Sequence, residues 1–480
     1  MQLLNRERAG LVSSRPERVM QFGGGNFLRA FVDWMIDHLN KITDFSGNVV
    51  IIKPTERGDY QELRDQDGLF HVVLNGIRQG ELVQEKTLVD CVSRVIHPYR
   101  EWDAYLKLAE QEAMRYIVSN TTEAGIAFNE TDKFADHPPR EFPAKLTHWL
   151  YHRYTHFKGD PERGCVLLPV ELIEQNGDEL RNCILQYADH WGLEPGFATW
   201  VQEHNVFCNT LVDRIVSGYP DAEADDLQQE LGFTDKLLVA GEYYHSWVIQ
   251  APEWVAREMH FDETDLEVKF VDDLTTYRII KVRMLNGAHT AMVPVGYLSG
   301  MRSVREAVEE PHIGNYIRQL LHQEVMPTLD APSQELRDFA QAVIDRFLNP
   351  SIHHQLISIA LNSTSKYRTR LLPTLLAYQQ KQGSLPPRVV LALAALTVFY
   401  KGEWLDEKIP LQDDPARLRF FEELWQKKDN DPEAISRRVL GQSEWWDTDL
   451  NEVPGLTDML ARFIELICTK GMYKTLLKLQ

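Results

Sequence analysis

Phe22-Gly23-Gly24-Gly25-Asn26-Phe27-Leu28-Arg29-Ala30-Phe31 is the stretch on which the reading of the fold turns. Before it, Arg18-Val19-Met20-Gln21-Phe22 reads as a strand. After it, Asn26 to Leu39 reads as a helix, with Phe27, Ala30, Phe31, Trp34 and Ile36 at helix-compatible spacing. A strand, a glycine turn and a helix in this order are the setting in which a dinucleotide pyrophosphate is held. Gly23 would permit the tight turn, and Gly25 would let the backbone approach the phosphates. The exposed N–H groups and the helix dipole would then attract the anion. Phe22, Gly23, Gly24, Gly25, Asn26 and Phe27 are therefore candidate cofactor contacts. Leu28 stands where the third glycine of the usual fingerprint would fall, so a purely structural glycine turn is the competing reading.

Further along, Val49-Val50-Ile51-Ile52 is a β-branched run of the kind buried on both faces. Met114 to Ser119 and Cys165 to Val170 read the same way. Strands alternating with helices predict an α/β domain of Rossmann type, a doubly wound parallel sheet. From about Leu274 the helical signal dominates, as in Tyr277 to Met292, Gln334 to Phe347, Ser351 to Leu361 and Arg388 to Tyr400. The expected organisation is a dinucleotide-binding domain over 1–273 and a mainly helical substrate domain over 274–480. A carboxylate for the adenosine ribose is expected just beyond the second strand. Lys53 and Pro54 stand there, with Glu56 a little later. Lys53 reads either as an ordinary solvated lysine or as a residue that tolerates a ribose phosphate, so the choice between NAD and NADP stays open. Trp445-Trp446 reads as packing rather than chemistry.

The chain has 480 residues and a formal net charge of −20. That charge argues against nucleic acid, which needs clustered Lys and Arg, and against an anionic membrane surface. A small anionic ligand is still possible, because local charge can oppose net charge. Five cysteines without a C-x-x-C pair argue against a disulfide framework. No Cys/His set has zinc-ligand spacing, so no metal is expected. The first eighteen residues lack the apolar segment of a secretory signal. The longest apolar run, Val389 to Tyr400, is too short to span a bilayer. The expectation is a cytoplasmic protein with a small-molecule partner.

The second chemical signal is Lys281-Val282-Arg283-Met284-Leu285-Asn286-Gly287-Ala288-His289-Thr290. At about 100° per residue, Asn286 falls roughly 140° from Lys281, with His289 between them. The three share one broad helix face. Reduction of a ketone builds negative charge on oxygen. A lysine ammonium can protonate it, an asparagine amide can polarise it, and a histidine can fix a neighbouring hydroxyl. The competing reading is a solvated face in which Asn286-Gly287 marks a helix end.

Five phrases together resemble the polyol-specific long-chain dehydrogenase family, which includes mannitol dehydrogenases and hexuronate reductases. They are Gln21 to Trp34, Ser119-Asn120-Thr121-Thr122-Glu123-Ala124-Gly125, Leu211-Val212-Asp213-Arg214-Ile215, Leu285 to Ala291, and Ser365-Lys366-Tyr367-Arg368-Thr369-Arg370. The resemblance implies an NAD-dependent oxidoreductase without a metal, with a cleft between a Rossmann-type and a helical domain. It implies Lys281 as general acid/base, Asn286 as carbonyl-polarising donor and His289 as a substrate contact. By position Asp213 and Lys366 match substrate-site residues, and Glu123 and Gly125 lie in a stretch near the cofactor.

Three positions depart from the mannitol dehydrogenase pattern. Glu171-Leu172 replaces an Asp-Asn pair, and Ser358 replaces a substrate-binding arginine. Both changes agree with the hexuronate-reductase branch. Arg368 and Arg370 are then available to a substrate carboxylate. The alternatives are a sister hexuronate or polyol dehydrogenase, a methyltransferase using the glycine turn, and a non-catalytic nucleotide-binding protein.

Overall fold

A computed structural model describes residues 1–480 apart from Ser13, Gln79, Glu123, 427–430 and Gln480. The chain divides into two units, Met1–Asn75 with Val83–Leu274, and Gly76–Leu82 with Thr275–Gln480.

Continuous β-branched runs need cover on both faces, and the first unit supplies it. Strands β1 (Glu17–Phe22), β2 (Asn48–Ile52), β3 (Val92–Ile96), β4 (Tyr116–Ser119), β5 (Val166–Pro169) and β6 (Val206–Phe207) form one sheet. Its order is β3-β2-β1-β4-β5-β6, and all five neighbouring pairs are parallel. This is the doubly wound arrangement expected from the sequence, with its switch point beside β1. Val19, Val49, Ile51, Tyr116 and Val118 face a core shared with helix α1, residues 26–42. The alternate residues Met20, Phe22, Val50, Ile52 and Ile117 face α2 (Phe142–His156) and α3 (Asn176–His190) on the other side. The period of two thus sorts one sequence run into two cores.

Register positions the chemistry. Phe22 lies opposite both Ile52 and Ser119, Ile52 opposite Ile96, and Ser119 opposite Pro169. Gly23, Lys53, Asn120 and Val170 are therefore the next residues along a common edge. α1 is not uniform. It runs through Asn26–Leu28, a π-helical turn Arg29–Asp33, and Trp34–Ile42. Three smaller sheets of this unit, of two, three and four strands, lie outside the six-stranded one among the described residues and have no clear signal in the sequence. One joins Asn209–Asp213, Ser246–Gln250 and Val268–Val271.

The second unit is mainly helical. Helix α4 covers residues 275–298, again with a π-helical turn, Lys281–Asn286, inside it. It is followed by α5 (Ser333–Leu348), α6 (Ser363–Arg370), α7 (Pro387–Phe399) and α8 (Leu456–Lys470). Every residue from Val389 to Phe399 is buried, so α7 is the core of the unit, packed by α4 and α8. Trp446 is buried and donates its indole N–H to the Val439 carbonyl at 2.8 Å, a packing role as the sequence suggested.

The helix expected over Ser351 to Leu361 does not form; only Leu356–Ile359 is helical. Pro350 takes the preceding Asn349 out of the helical region and so ends α5. The backbone groups of the following residues are taken by another segment instead. Val304 N–H donates to His354 O at 2.9 Å and Leu356 N–H to Arg302 O at 2.8 Å.

Gly23 has φ +117, and a Cβ there would lie 3.0 Å from Leu28 Cδ1 and 3.2 Å from the Asn120 carbonyl. Gly23→Ala is therefore expected to cost about 1–3 kcal/mol from strain of this kind. Urea denaturation measures it; an unchanged midpoint would mean the turn relaxes freely.

Candidate active site

The glycine turn is held by backbone on both sides. Gly23 N–H donates to Ile52 O at 3.0 Å, and Asn120 N–H to Phe22 O at 3.2 Å. The Tyr60 hydroxyl accepts from Gly24 N–H at 3.1 Å. Gly25 differs from the two buried glycines before it. It is exposed, and nothing lies within 4 Å of where its Cβ would be. The first intrahelical bond runs from Arg29 N–H to Gly25 O. The N–H groups of Asn26, Phe27 and Leu28 thus precede it, as the open donors at a helix start. An open glycine beside open donors at the switch point fits a dinucleotide pyrophosphate.

Two buried arginines brace this turn. Arg29 donates to Asn26 Oδ1 at 2.6 Å and to the Leu237 carbonyl, and lies over the Phe70 ring. Its guanidinium is thus committed to the protein. Arg214 donates to Ala30 O at 2.6 Å and to Tyr243 O and Tyr244 O. It stacks on Trp34 at 4.4 Å, and burial pushes its pKa down to about 9. Ala30 sits in the π turn, so Arg214 supports the irregular part of α1. The sequence reading quoted Arg214 only as part of a motif. Beneath the turn, Gln21 Nε2 bridges Gly23 O at 3.1 Å and Asp33 Oδ2 at 3.3 Å. Burial holds the Asp33 carboxyl up at about 7.

Lys53 is not a solvated lysine. It lies shallow but covered, donates to the hydroxyl and carbonyl of Thr55, and faces the Tyr60 ring at 5.1 Å. Desolvation lowers its pKa, against the opposing charge of Asp59.

Glu123 lies outside the described residues. Gly125 closes on Thr121: a Cβ there would stand 2.0 Å from Thr121 Oγ1. Glu171 is buried at the end of β5 and accepts from Ser119 Oγ at 3.0 Å, Thr121 N–H at 2.9 Å and Thr121 Oγ1 at 3.0 Å. Burial raises its pKa. An acceptor so occupied braces Ser119 and Thr121; Leu172, exposed where the mannitol dehydrogenase pattern has asparagine, has no side-chain donor for an oxyanion. Asp213 ends its strand opposite Ser246 and is partly exposed.

In the second unit the π turn changes the expected geometry. Gly287 N–H donates to Val282 O, five residues back. A five-residue step therefore spans about one turn. Asn286 comes to lie nearly over Lys281 rather than far round the helix. The helix continues through Gly287 to Leu298, so Asn286-Gly287 is not a helix end. Lys281 and Asn286 are both half-buried.

His289 follows one turn later. Although the residue is only half-buried, its Nε2 is shut off from solvent and has no hydrogen-bond partner. The ring packs on Phe347 at 4.4 Å and on His354 at 5.2 Å. Its pKa is held well below the usual imidazole range, first by burial, then by His354, Arg346, Arg370 and Lys366. It is a neutral hydrogen-bonding group at pH 7, not an acid.

Lys366 and Arg370 lie four apart on α6. Lys366 donates to Ile359 O at 2.7 Å, and Arg370 to Thr290 Oγ1 at 3.3 Å. Arg368 points elsewhere and forms a bidentate pair with Asp447, both bonds 2.7 Å. The structure thus brings Lys366, Arg370 and His289 together and leaves Arg368 out. His354 and Arg346 were missed. Both histidines at 353 and 354 lie where a helix was expected and none forms; His353 is exposed and His354 half-buried.

Comparison with known proteins bears on both halves. Residues 17–263 match the Mannitol dehydrogenase Rossmann domain and residues 273–468 the Mannitol dehydrogenase C-terminal domain. The chain is 47% identical over 476 residues to the altronate oxidoreductase of Bacillus subtilis, covering 99% of this chain and 98% of the other. It is 48% identical to that of Yersinia pestis (98% of each chain) and 45% identical to that of an Escherichia coli strain (95% of each). Among solved structures, D-sorbitol dehydrogenase superposes with a TM-score of 0.80 at 22% identity, covering 99% of this chain and 100% of the other. Mannitol 2-dehydrogenase of Pseudomonas fluorescens gives 0.68 at 22%, covering 100% and 99%.

The depressed histidines predict an acid-sensitive fold. Burial also lowers His148, to about 4. Between its folded and unfolded pKa values such a group is protonated only when unfolded, so stability falls as pH drops below about 6.5. Melting temperatures at pH 7 and 5 are expected to fall less for His148→Gln and His289→Gln than for the unsubstituted chain. Equal falls would mean other groups carry the acid sensitivity.

Proposed function

The chain belongs to the mannitol dehydrogenase family, and we propose that it reduces tagaturonate to altronate with NADH, reversibly, with Lys281 moving the proton. Membership makes it an oxidoreductase acting on CH–OH groups. The substrate is read from relatives called altronate oxidoreductases that share almost half of its residues over nearly full length. The geometric observation that carries the mechanism is the π turn, which stacks Asn286 over Lys281.

When bound, the nicotinamide supplies the hydride equivalent: tagaturonate + NADH + H⁺ gives altronate + NAD⁺. As the carbonyl becomes an alkoxide, the Lys281 ammonium donates the proton to oxygen. In the reverse direction neutral Lys281 removes it. The Asn286 amide N–H donates to the same oxygen and stabilises the charge as it forms. His289, neutral and unpartnered at Nε2, hydrogen-bonds a neighbouring hydroxyl or carboxyl oxygen of the substrate. Gly25 and the start of α1 receive the pyrophosphate. With its ammonium committed to Thr55, Lys53 offers little to a ribose phosphate, which favours NADH over NADPH. The proposal places the reaction in the cytoplasm, with a small hexuronate as partner. Among the described residues no helix is long and apolar enough to cross a membrane.

A methyltransferase would leave the Lys281 helix without a task. The sister activities, on fructuronate or a free polyol, are outcomes of the same assay. NADH oxidation is expected with tagaturonate and much less with fructuronate, fructose or NADPH. Faster turnover of fructuronate or fructose would reassign the substrate. Lys281→Ala is expected to abolish turnover while NADH affinity, read by fluorescence titration, is kept; retained turnover would remove lysine from the mechanism. Asn286→Ala should lower kcat by about 10²–10³, as for loss of one oxyanion donor.

A further inference from the structure

The chain carries a net charge of −20, yet one part of the helical unit gathers positive charge, with Asp413 acting on Lys366 only from beyond ion-pair distance. Lys366 and Arg370, four residues apart on α6, share one face. Both are half-buried, and burial lowers the pKa of each. Among the described residues neither has a carboxylate within ion-pair distance; their donors reach only the Ile359 carbonyl and the Thr290 hydroxyl. Beside them stand the His289 and His354 rings, 5.2 Å apart, with His289 Nε2 enclosed and unpaired. Arg346, itself buried, adds a further charge whose field reaches His289.

Partly desolvated cations that lack counter-charges are costly unless an anion completes them. An empty hydrogen-bonding nitrogen in the same place adds to that cost. Arg368, by contrast, has its carboxylate already in Asp447.

We propose that this cluster seats the carboxylate of the sugar acid, with Arg370 and His354 as the residues that select a hexuronate or aldonate over a neutral ketose or polyol. The inference rests on the reading of the substrate as a hexuronate and says which side chains recognise it. The Arg370 guanidinium supplies a planar pair of donors that matches a carboxylate. His354 supplies a ring N–H beside it. A neutral polyol leaves both cations unpaired, so selectivity arises from a penalty on the wrong ligand as well as from a gain on the right one.

The test is isothermal titration of altronate, and separately of mannitol, into the full chain saturated with NADH, where no turnover occurs. The unsubstituted protein is expected to bind altronate at least tenfold more tightly than mannitol. Arg370→Met should weaken altronate by roughly 10–100-fold, the scale of one charge-assisted contact, and His354→Gln by a smaller factor. Neither should weaken mannitol binding, and Arg370→Met, which removes an unpaired cation, should leave it equal or tighter. Arg370→Lys should recover part of the loss, and Arg368→Met should leave both ligands unchanged. Altronate affinity that survives Arg370→Met and His354→Gln in folded protein overturns the proposal, even if tagaturonate is turned over. Altronate that binds through Arg370 in a protein that reduces no hexuronate would overturn the reaction and keep the subsite.

Discussion

One left-handed residue, Gly23, turns the central strand of the parallel sheet into the helix that follows it, and the first unit is arranged around that turn. A side chain there would meet Leu28 and the Asn120 carbonyl. Because no Cβ is present, β4 can continue past the turn and Asn120 can bond back to Phe22. The strand ends then align, and the start of α1 lies open at the point where the strand order reverses. Buried Arg29 and Arg214 fasten this region with hydrogen bonds to backbone oxygens and to Asn26. They cost desolvation, offset by two bonds from Arg29 and three from Arg214, all to neutral oxygens.

The two π-helical turns serve different ends by the same geometry. Each inserts a wider turn into an otherwise regular helix. In α1 the turn runs from Arg29 to the buried Asp33, just after the open helix start, and the Ala30 carbonyl inside it accepts from Arg214. In α4 it moves Asn286 over Lys281. A regular helix would separate that pair by more than a third of a turn. Such irregularities recur at functional sites, because a side chain can be re-aimed there without breaking the helix.

Much of this was legible in advance. β-branched runs announce buried parallel strands, since no other residues cover a sheet on both faces so economically. The Lys281, Asn286 and His289 spacing could be read, but not its phase. The rule of 100° per residue assumes an unbroken α-helix, and nothing in Lys281 to Asn286 announces the extra residue. Arg368 and Arg370 look alike in sequence; only Asp447, 79 residues on, distinguishes them. His354 was hidden because its segment was expected to be helical. Its backbone is instead bonded to Val304, a partner no local pattern reveals.

By itself the sequence determined the fold class, the glycine turn and the order of sheet and helices. These follow from local periodicity, backbone stereochemistry and composition, all of which act over a few residues or over the whole sum. Tertiary structure alone decided which arginine stays unpaired, which carboxylate braces a loop, how deeply Lys53 is covered and how Asn286 faces Lys281. Those outcomes depend on desolvation and on partners far apart in the chain, and both come into being only when the segments pack.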